Sequence, residues 1–507
     1  MTSTVLDRNP AALDRHFDVV VIGGGITGVH VAREAAGRGL SVALFEKGDF
    51  GSGTSSATTK YLHGGIRYLE QYQFGVVRES LRERRILALG APHLVEQRPF
   101  LMPAWKWSKP STALIGAGVA TYTAMAFDRN RAAPPSLRIP MPRWRSRSRV
   151  LNDVPWLDPV ELQGGYVYHD TLNVHPERLL LAYVRDAVTL GAVMRNYTPV
   201  EGFVVDDADV VAVDVRDDAT GERHTVRTRT VVNAAGPWVD IVLRPLESDE
   251  RRRMQRPLGV RVQRSKGVHL LTRSLGPGPT VFCRARSGSH VIVSPWQGHS
   301  FIGPTDTPIE VEPGAVQATR DDVDSILHTV NSTLGPGTNP LTIDDVDGVT
   351  VGIRPLVDSG TDSYTASRRH ELYDHGPAGA AGLWSIGGGK WTTGRATAVE
   401  TLRTLLAAPQ LDGVAHEPFD SRRRATFGAF GWGADAHPFF DAALHARGEV
   451  EVDPIARAHL ARMYGTEFQR VLDVVANDPS LGARISTRPE IADIGAQVVI
   501  AVRDEGA

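Results

Sequence analysis

Cysteine is nearly absent from this chain: Cys283 is the only one in 507 residues. No disulfide can form within it, a CxxC metal or redox site is excluded, and a reducing compartment is the natural setting. An excess of one charge is also missing. Lys and Arg number 56 against 58 Asp and Glu, a formal net charge of −2, which gives no support to general polyanion binding. Aromatic residues make up only 7%, and the arginine-rich stretch 129–149 has no interleaved stacking platform beyond Trp144, so nucleic acid is not an expected partner. Long hydrophobic runs are lacking too. The longest uncharged run, STALIGAGVATYTAMAF from Ser111 to Phe127, is diluted by Gly, Ser and Thr and falls short of the roughly 20 apolar residues of a spanning helix. It reads as a buried or interfacial helix. The N-terminal MTSTVLDRNPAALDRHFD is polar and has no apolar signal-peptide core.

What is present is ordinary globular material, 42% hydrophobic and 22% charged, long enough for two or three domains. No internal repeat is visible. Residues 129–149 carry seven arginines, four prolines and no acid, and read as an irregular surface connection. ERRRMQR at 250–256 reads as a solvated turn. Helix-like periodicity dominates after about residue 405.

FDVVVIGGGITGVHVAREAAGRGLSVALFEK, residues 17–47, predicts a buried parallel strand, a tight turn, a helix over Ile26–Arg38 and a second strand ending at Glu46. Gly23, Gly25 and Gly28 form G-x-G-x-x-G: the first for the turn, the second for approach of a pyrophosphate, the third for helix–strand packing. The helix amides face that pyrophosphate. Glu46 accepts from ribose hydroxyls and repels a 2′-phosphate. The motif does not choose between NAD and FAD. Two later segments do: RTRTVVNAAGPWVD (227–240) and GLWSIGGGKWTTGRATAVETL (382–402) predict further dinucleotide contacts separated by long insertions, which favours FAD. The second predicts a helix starting near Thr392 or Thr393, its positive end toward a flavin.

SSATTKYLHGGIRYLE, Ser55–Glu70, is both packed and cationic, a combination that neither a core strand nor an exposed loop requires. With VIGGGITG, NAAGPWV, SKGVHL, FIGPTDT, VGIRPLV and GGGKWTTGR in order, the chain from Phe17 to about 475 resembles the FAD-dependent, quinone-linked glycerol-3-phosphate dehydrogenase family. The resemblance implies an α/β fold: a glutathione-reductase-type FAD domain (17–90, 160–245, 345–405), a sheet-containing substrate domain (91–159, 246–344) and a helical C-terminal cap (406–507). It implies non-covalent FAD and hydride transfer from C2 of sn-glycerol 3-phosphate to flavin N5, giving dihydroxyacetone phosphate. Electrons would pass to quinone, on a peripheral enzyme at the cytoplasmic membrane face.

The same resemblance assigns His63, His269 and Arg354 to catalysis, and Arg67, Tyr68, Thr305, Asp306, Arg369 and Lys390 to substrate. Histidine suits a base near working pH, and guanidinium forks suit phosphate. The expected cofactor wall is Gly23, Gly25, Ile26, Thr27, Gly28, Glu46 and Lys47, then Thr54, Ser55, Ser56, Lys60, His63, Gly64 and Gly65. Ala235, Gly236, Gly389, Lys390, Trp391 and Thr392 complete it. Arg368 competes with Arg369. Gly394 stands where relatives often carry Tyr, and the chain ends at AVRDEGA where many relatives continue through further cap helices. A homodimer is left open. Rival readings are a glycerol-phosphate oxidase using oxygen and an amino-acid oxidase of the same superfamily.

Overall fold

The computed structural model describes residues 6, 8–248, 258–357, 369–430, 450–488 and 490–506. β1 (Phe17–Ile22) is the β-branched run, almost wholly buried, as a strand covered on both faces must be. α1 (Ile26–Gly37) follows the glycine loop, and β2 (Val42–Phe45) lies parallel to β1. Val193–Arg195 extends the sheet beyond β2. On the other side come Arg223–Asn233 and Leu383–Gly388, all parallel, and His370–Asp374 closes it as an antiparallel edge. Val19 and Val21 point into a core covered by α1, Pro176–Thr189 and Gly394–Leu405. Val20 and Ile22 point into a second core beneath the hairpin of Val200–Asp206 and Asp209–Arg216.

A second sheet, ten-stranded among the described residues, carries the long insertions. Val262–Arg273 pairs with Val346–Val357, and Val95–Trp105 pairs along its length with Leu162–Asn173. Helix Arg320–Asn331 covers one face through Val323, Ile326 and Val330. Three segments expected in the FAD domain are strands of this second sheet instead: Tyr61–Leu62, Leu162–Asn173 and Val346–Val357. Residue alternation marks them as strands but carries no information about which sheet they join.

Helix Thr112–Met125 realises the predicted uncharged helix, with Ile115, Val119 and Tyr122 buried and Leu114 exposed. No helix among the described residues is long and apolar enough to cross a membrane. Part of the 129–149 stretch is more regular than expected: Arg143–Ser146 joins the second sheet and helix Arg147–Asp153 follows. The basic cluster at 250–256 lies outside the described residues. Helices Pro454–Tyr464, Phe468–Asn477 and Gly495–Asp504 pack around Leu460, Val471, Val475 and Ile494. They dock on the first domain through Glu505, which accepts from Arg178 at 2.5 Å and Arg185 at 3.4 Å.

Candidate active site

The glycine loop follows from close approach. Gly23 has φ +104°, and a Cβ there would meet the Ala234 carbonyl oxygen at 2.8 Å. A Cβ on Gly28 would run into the Gly23 carbonyl. Beside Gly25, only the Ser55 hydroxyl lies within reach of a Cβ, at 3.3 Å, so the rest of that space is open. Gly24 N–H donates to Glu46 Oε2 at 2.6 Å and Gly48 N–H to Oε1 at 2.9 Å, which fixes the carboxylate against the loop. Ile26 N–H donates to Ser55 Oγ at 2.9 Å, and Trp391 Nε1–H to the Ser55 carbonyl at 3.2 Å. Lys47 Nζ lies 3.7 Å above the Trp238 ring, and burial lowers its pKa against the pull of Glu46.

These groups open on one cavity of about 780 Å³, within the range of a cofactor or ligand site. Gly23, Gly25, Ile26, Thr27, Glu46 and Lys47 are on its wall, as are Thr54, Ser55 and Gly65. So are Ala235, Gly236, Gly389 and Trp391, and with them His63, Arg67, Tyr68, His269, Arg354 and Lys390. The turn Trp391–Thr393, whose Trp391 lines the cavity, leads directly into helix Gly394–Leu405, whose first residue packs against Ile26 and His30 of α1.

The histidines are held neutral. Burial, then Lys390 and Arg67, push His63 down to about 3. Burial, then Arg354 and Lys60, push His269 down to about 3. Its ring stacks on Phe301 with centroids 4.7 Å apart, and both of its buried nitrogens lack a hydrogen-bond partner among the described residues. Arg354 lies across the strand pair from Ser265. Its Nη2 donates to the Thr305 carbonyl at 2.9 Å, and its Nη1 to Ser265 Oγ and Asp306 Oδ1, each at 3.3 Å. Ser265 in turn donates to Asp306. A Cβ on Gly267 would collide with the Arg354 guanidinium. Lys390 Nζ sits 4.6 Å over the Tyr68 ring.

Other expected residues lie off this wall. Lys60 turns away and donates to Glu177 Oε1 at 2.8 Å, because an acceptor and the Trp296 ring lie on that side. Ser56 donates to the Gly53 carbonyl at 3.1 Å, and Thr305 Oγ1 accepts from Val268 N–H at 2.9 Å. Gly28 packs helix on strand, Gly64 lies behind the wall, and Thr392 is buried within its turn. Asp306 acts through Arg354. Arg369 is exposed at the start of the sheet edge, and Arg368 lies outside the described residues.

The structure adds residues that sequence reasoning missed. Phe100, Tyr168, Asp170, Phe282, His290 and Ile292 project from the second sheet into the cavity. Alternation in YVYHD and HVI was the available signal, since every second residue shares a face. His290 Nε2 accepts from Arg67 Nη1 at 3.1 Å. Burial, Arg67 and Arg284 push His290 down to about 4, with Asp306 opposing.

The wall fits FAD. The open face at Gly25, the space beside Gly236, the amide end of α1 and the orphaned nitrogens of His269 all call for polar ligand atoms. A sheet whose glycine loop and two later crossings converge on one cleft defines the class, a dinucleotide-dependent flavoprotein. Residues 18–401 match the family model described as FAD dependent oxidoreductase. Glycerol-3-phosphate dehydrogenase 2 of Mycobacterium tuberculosis is 37% identical, covering 97% of this chain and 79% of its own. Glycerol-3-phosphate dehydrogenase of a Synechocystis species is 33% identical over 98% of this chain and 88% of its own. The structure of glycerol-3-phosphate dehydrogenase from Bacillus halodurans complexed with FAD superposes with a TM-score of 0.74 at 27% identity, covering 98% of this chain and 84% of that one. The chain belongs to the FAD-dependent glycerol-3-phosphate dehydrogenase family, and FAD is its cofactor.

Neutral burial of these histidines has a signature in stability. In the unfolded chain each takes up a proton near pH 6.5, whereas in the folded chain it stays neutral to about 3 or 4. Their contribution is therefore complete above pH 6.5 and is lost as pH falls toward 4. His290→Leu should lose less stability than the wild type between about pH 8 and about pH 5 in chemical denaturation. Parallel losses would show that His290 does not titrate this way.

Proposed function

We propose that the chain oxidises the C2 alcohol of sn-glycerol 3-phosphate to dihydroxyacetone phosphate and delivers the electrons to a quinone. The observation that carries this reading is the meeting of Arg67, Arg354 and Lys390 with two neutral histidines on the wall that holds the glycine loop. A phosphate dianion needs fixed cations, and two guanidinium forks offer it planar two-point contacts. An alcohol losing its C2 hydrogen also needs a proton acceptor. His63 and His269 are neutral but, at about 3, are weak bases in the empty site. The negative charge of a bound phosphate offsets the cations that depress them and raises their proton affinity toward working pH, so that either can accept, and Arg354 can stabilise the oxygen as it becomes a carbonyl. FAD, when bound, supplies the two-electron acceptor. His290 and Asp306 aim the Arg67 and Arg354 forks respectively.

A second contact follows from the quinone, which is found in membranes. Leu114, Phe127, Met141 and Trp144 are exposed around helix Thr112–Met125 and the arginine-rich stretch. Arg78 lies 4.3 Å over the Phe127 ring, and Arg129 Nη2 is 2.7 Å from Met141 Sδ. Guanidinium groups among exposed apolar side chains suit an anionic lipid surface, so the enzyme rests peripherally on the cytoplasmic face.

Glycerol 3-phosphate should bleach the yellow protein anaerobically, and glycine should not. A soluble quinone should then restore the colour faster than oxygen does. Bleaching by glycine alone would replace this reading with an amino-acid oxidase, and faster recovery with oxygen would make the protein a glycerol-phosphate oxidase.

Arg354→Ala should keep FAD and lose roughly 30- to 1000-fold in kcat/KM. Arg354→Lys should recover only part, because an ammonium cannot make the planar contact. Unchanged kcat/KM in a flavin-replete Arg354→Ala protein would remove this residue from the site.

Sedimentation with vesicles of anionic lipid should pull down the wild type at low salt, and Phe127→Ser/Trp144→Ser should weaken it. Failure of the wild type to sediment at any salt would refute membrane attachment.

A further inference from the structure

The turn that carries His63 rests on a buried ionic group that no step above uses. Asp170 on strand Leu162–Asn173 is 2% exposed, Arg84 on helix Phe74–Gly90 is 1% and Tyr122 on helix Thr112–Met125 is 3%. Arg84 Nη1 is paired with Asp170 Oδ1 and also donates to the His169 carbonyl at 3.3 Å. The Tyr122 hydroxyl donates to the Asp170 carboxylate, 2.9 Å from Oδ2 and 3.1 Å from Oδ1. The same hydroxyl accepts from Gly64 N–H at 2.8 Å. Because its one proton is committed to the carboxylate, its lone pair is left to face the amide. Gly64 directly follows His63.

The paired glycines are explained by this arrangement. A Cβ on Gly64 would meet both the Tyr122 hydroxyl and Leu81 at 2.5 Å, so residue 64 has no side chain because that hydroxyl occupies its place. Gly65 has φ +74°, and a Cβ there would strike the Tyr68 ring. The backbone on the C-terminal side of His63 is therefore set by three separate elements, two helices and a sheet strand.

We infer that Asp170, Tyr122 and Arg84 form a positioning relay that fixes His63 for proton transfer, with Tyr122 as its adjustable link. The relay rests on the reading of His63 as a group facing the substrate. Asp170 also lines the cavity, where a bare carboxylate would oppose a phosphate dianion. Pairing with Arg84 and donation from Tyr122 offset that charge, so the site keeps its cationic character while the carboxylate does mechanical work. Tyr122 is also on the buried side of the helix whose other side exposes Leu114, so a displacement of that helix moves the hydroxyl that holds the His63 turn.

The test is anaerobic stopped-flow bleaching by glycerol 3-phosphate of the flavin-loaded enzyme. Tyr122→Phe removes one oxygen. The limiting bleaching rate should fall of the order of tenfold or more, while the glycerol 3-phosphate concentration giving half that rate should change less than about twofold. Asp170→Asn keeps an acceptor for the hydroxyl, should fall less, and serves where Tyr122→Phe does not yield folded flavoprotein. A general loosening of the fold would raise the half-saturating concentration together with the rate loss, and that outcome overturns the relay. So does a wild-type rate in Tyr122→Phe while His63→Gln is slow. Wild-type rates in both would overturn the relay together with the site reading beneath it.

Discussion

Among the hydrogen bonds that join the two halves of the molecule, one lies on the wall of the cavity they share. The N–H of Ile26, at the first turn of α1, donates to the hydroxyl of Ser55. α1 belongs to the dinucleotide sheet, and Ser55 belongs to the segment that carries the chain toward its short strand in the second sheet. Trp391, from the last crossing of the first sheet, donates to the carbonyl of the same serine. Three stretches far apart in sequence are thus pinned at one residue. The glycine loop, the histidine-bearing turn and the lysine-bearing turn meet on one wall, and this junction ties them together there.

The electrostatic design follows from that convergence. Cations and imidazoles brought into a low-dielectric cleft must be offset or neutral. The arginines are offset: Arg354 by Asp306, Arg84 by Asp170. The imidazoles are neutral, each pushed down by burial first and by neighbouring cations second. On the proposed reading, a substrate phosphate would meet a site already organised for negative charge, with little reorganisation left to perform.

Much of the nucleotide half was legible in the sequence because its constraints are local. Gly23, Gly25, Gly28 and Glu46 act through backbone geometry within about thirty residues, and close approach leaves a glycine signature. The substrate half depends on which face of a strand looks inward, and that is fixed by pairing between distant segments. Hence His63, Arg67 and Arg354, which line the cavity, were singled out by the resemblance that motif order carries, whereas His290 and Asp170, sitting in plain alternation on the same wall, were not. Lys60 shows the converse: the resemblance set it against the cofactor, and in the structure it pairs with a glutamate 117 positions away. The sheet that Tyr61–Leu62, Leu162–Asn173 and Val346–Val357 join was illegible for the same reason, since a strand's periodicity does not name its partner.

Gly267 shows how far such packing reaches. With no side chain of its own, it gives the Arg354 guanidinium a flat bed on the neighbouring strand. Any larger residue at 267 evicts the guanidinium, and the harm of that change depends on the guanidinium being there to evict. The two positions are therefore epistatic. In a library randomised at both, the penalty at 267 should vanish wherever 354 is already small, although residue 267 touches no reacting group. Tolerance maps of such a chain will mark a silent backbone position as essential, on account of the charge that lies across it.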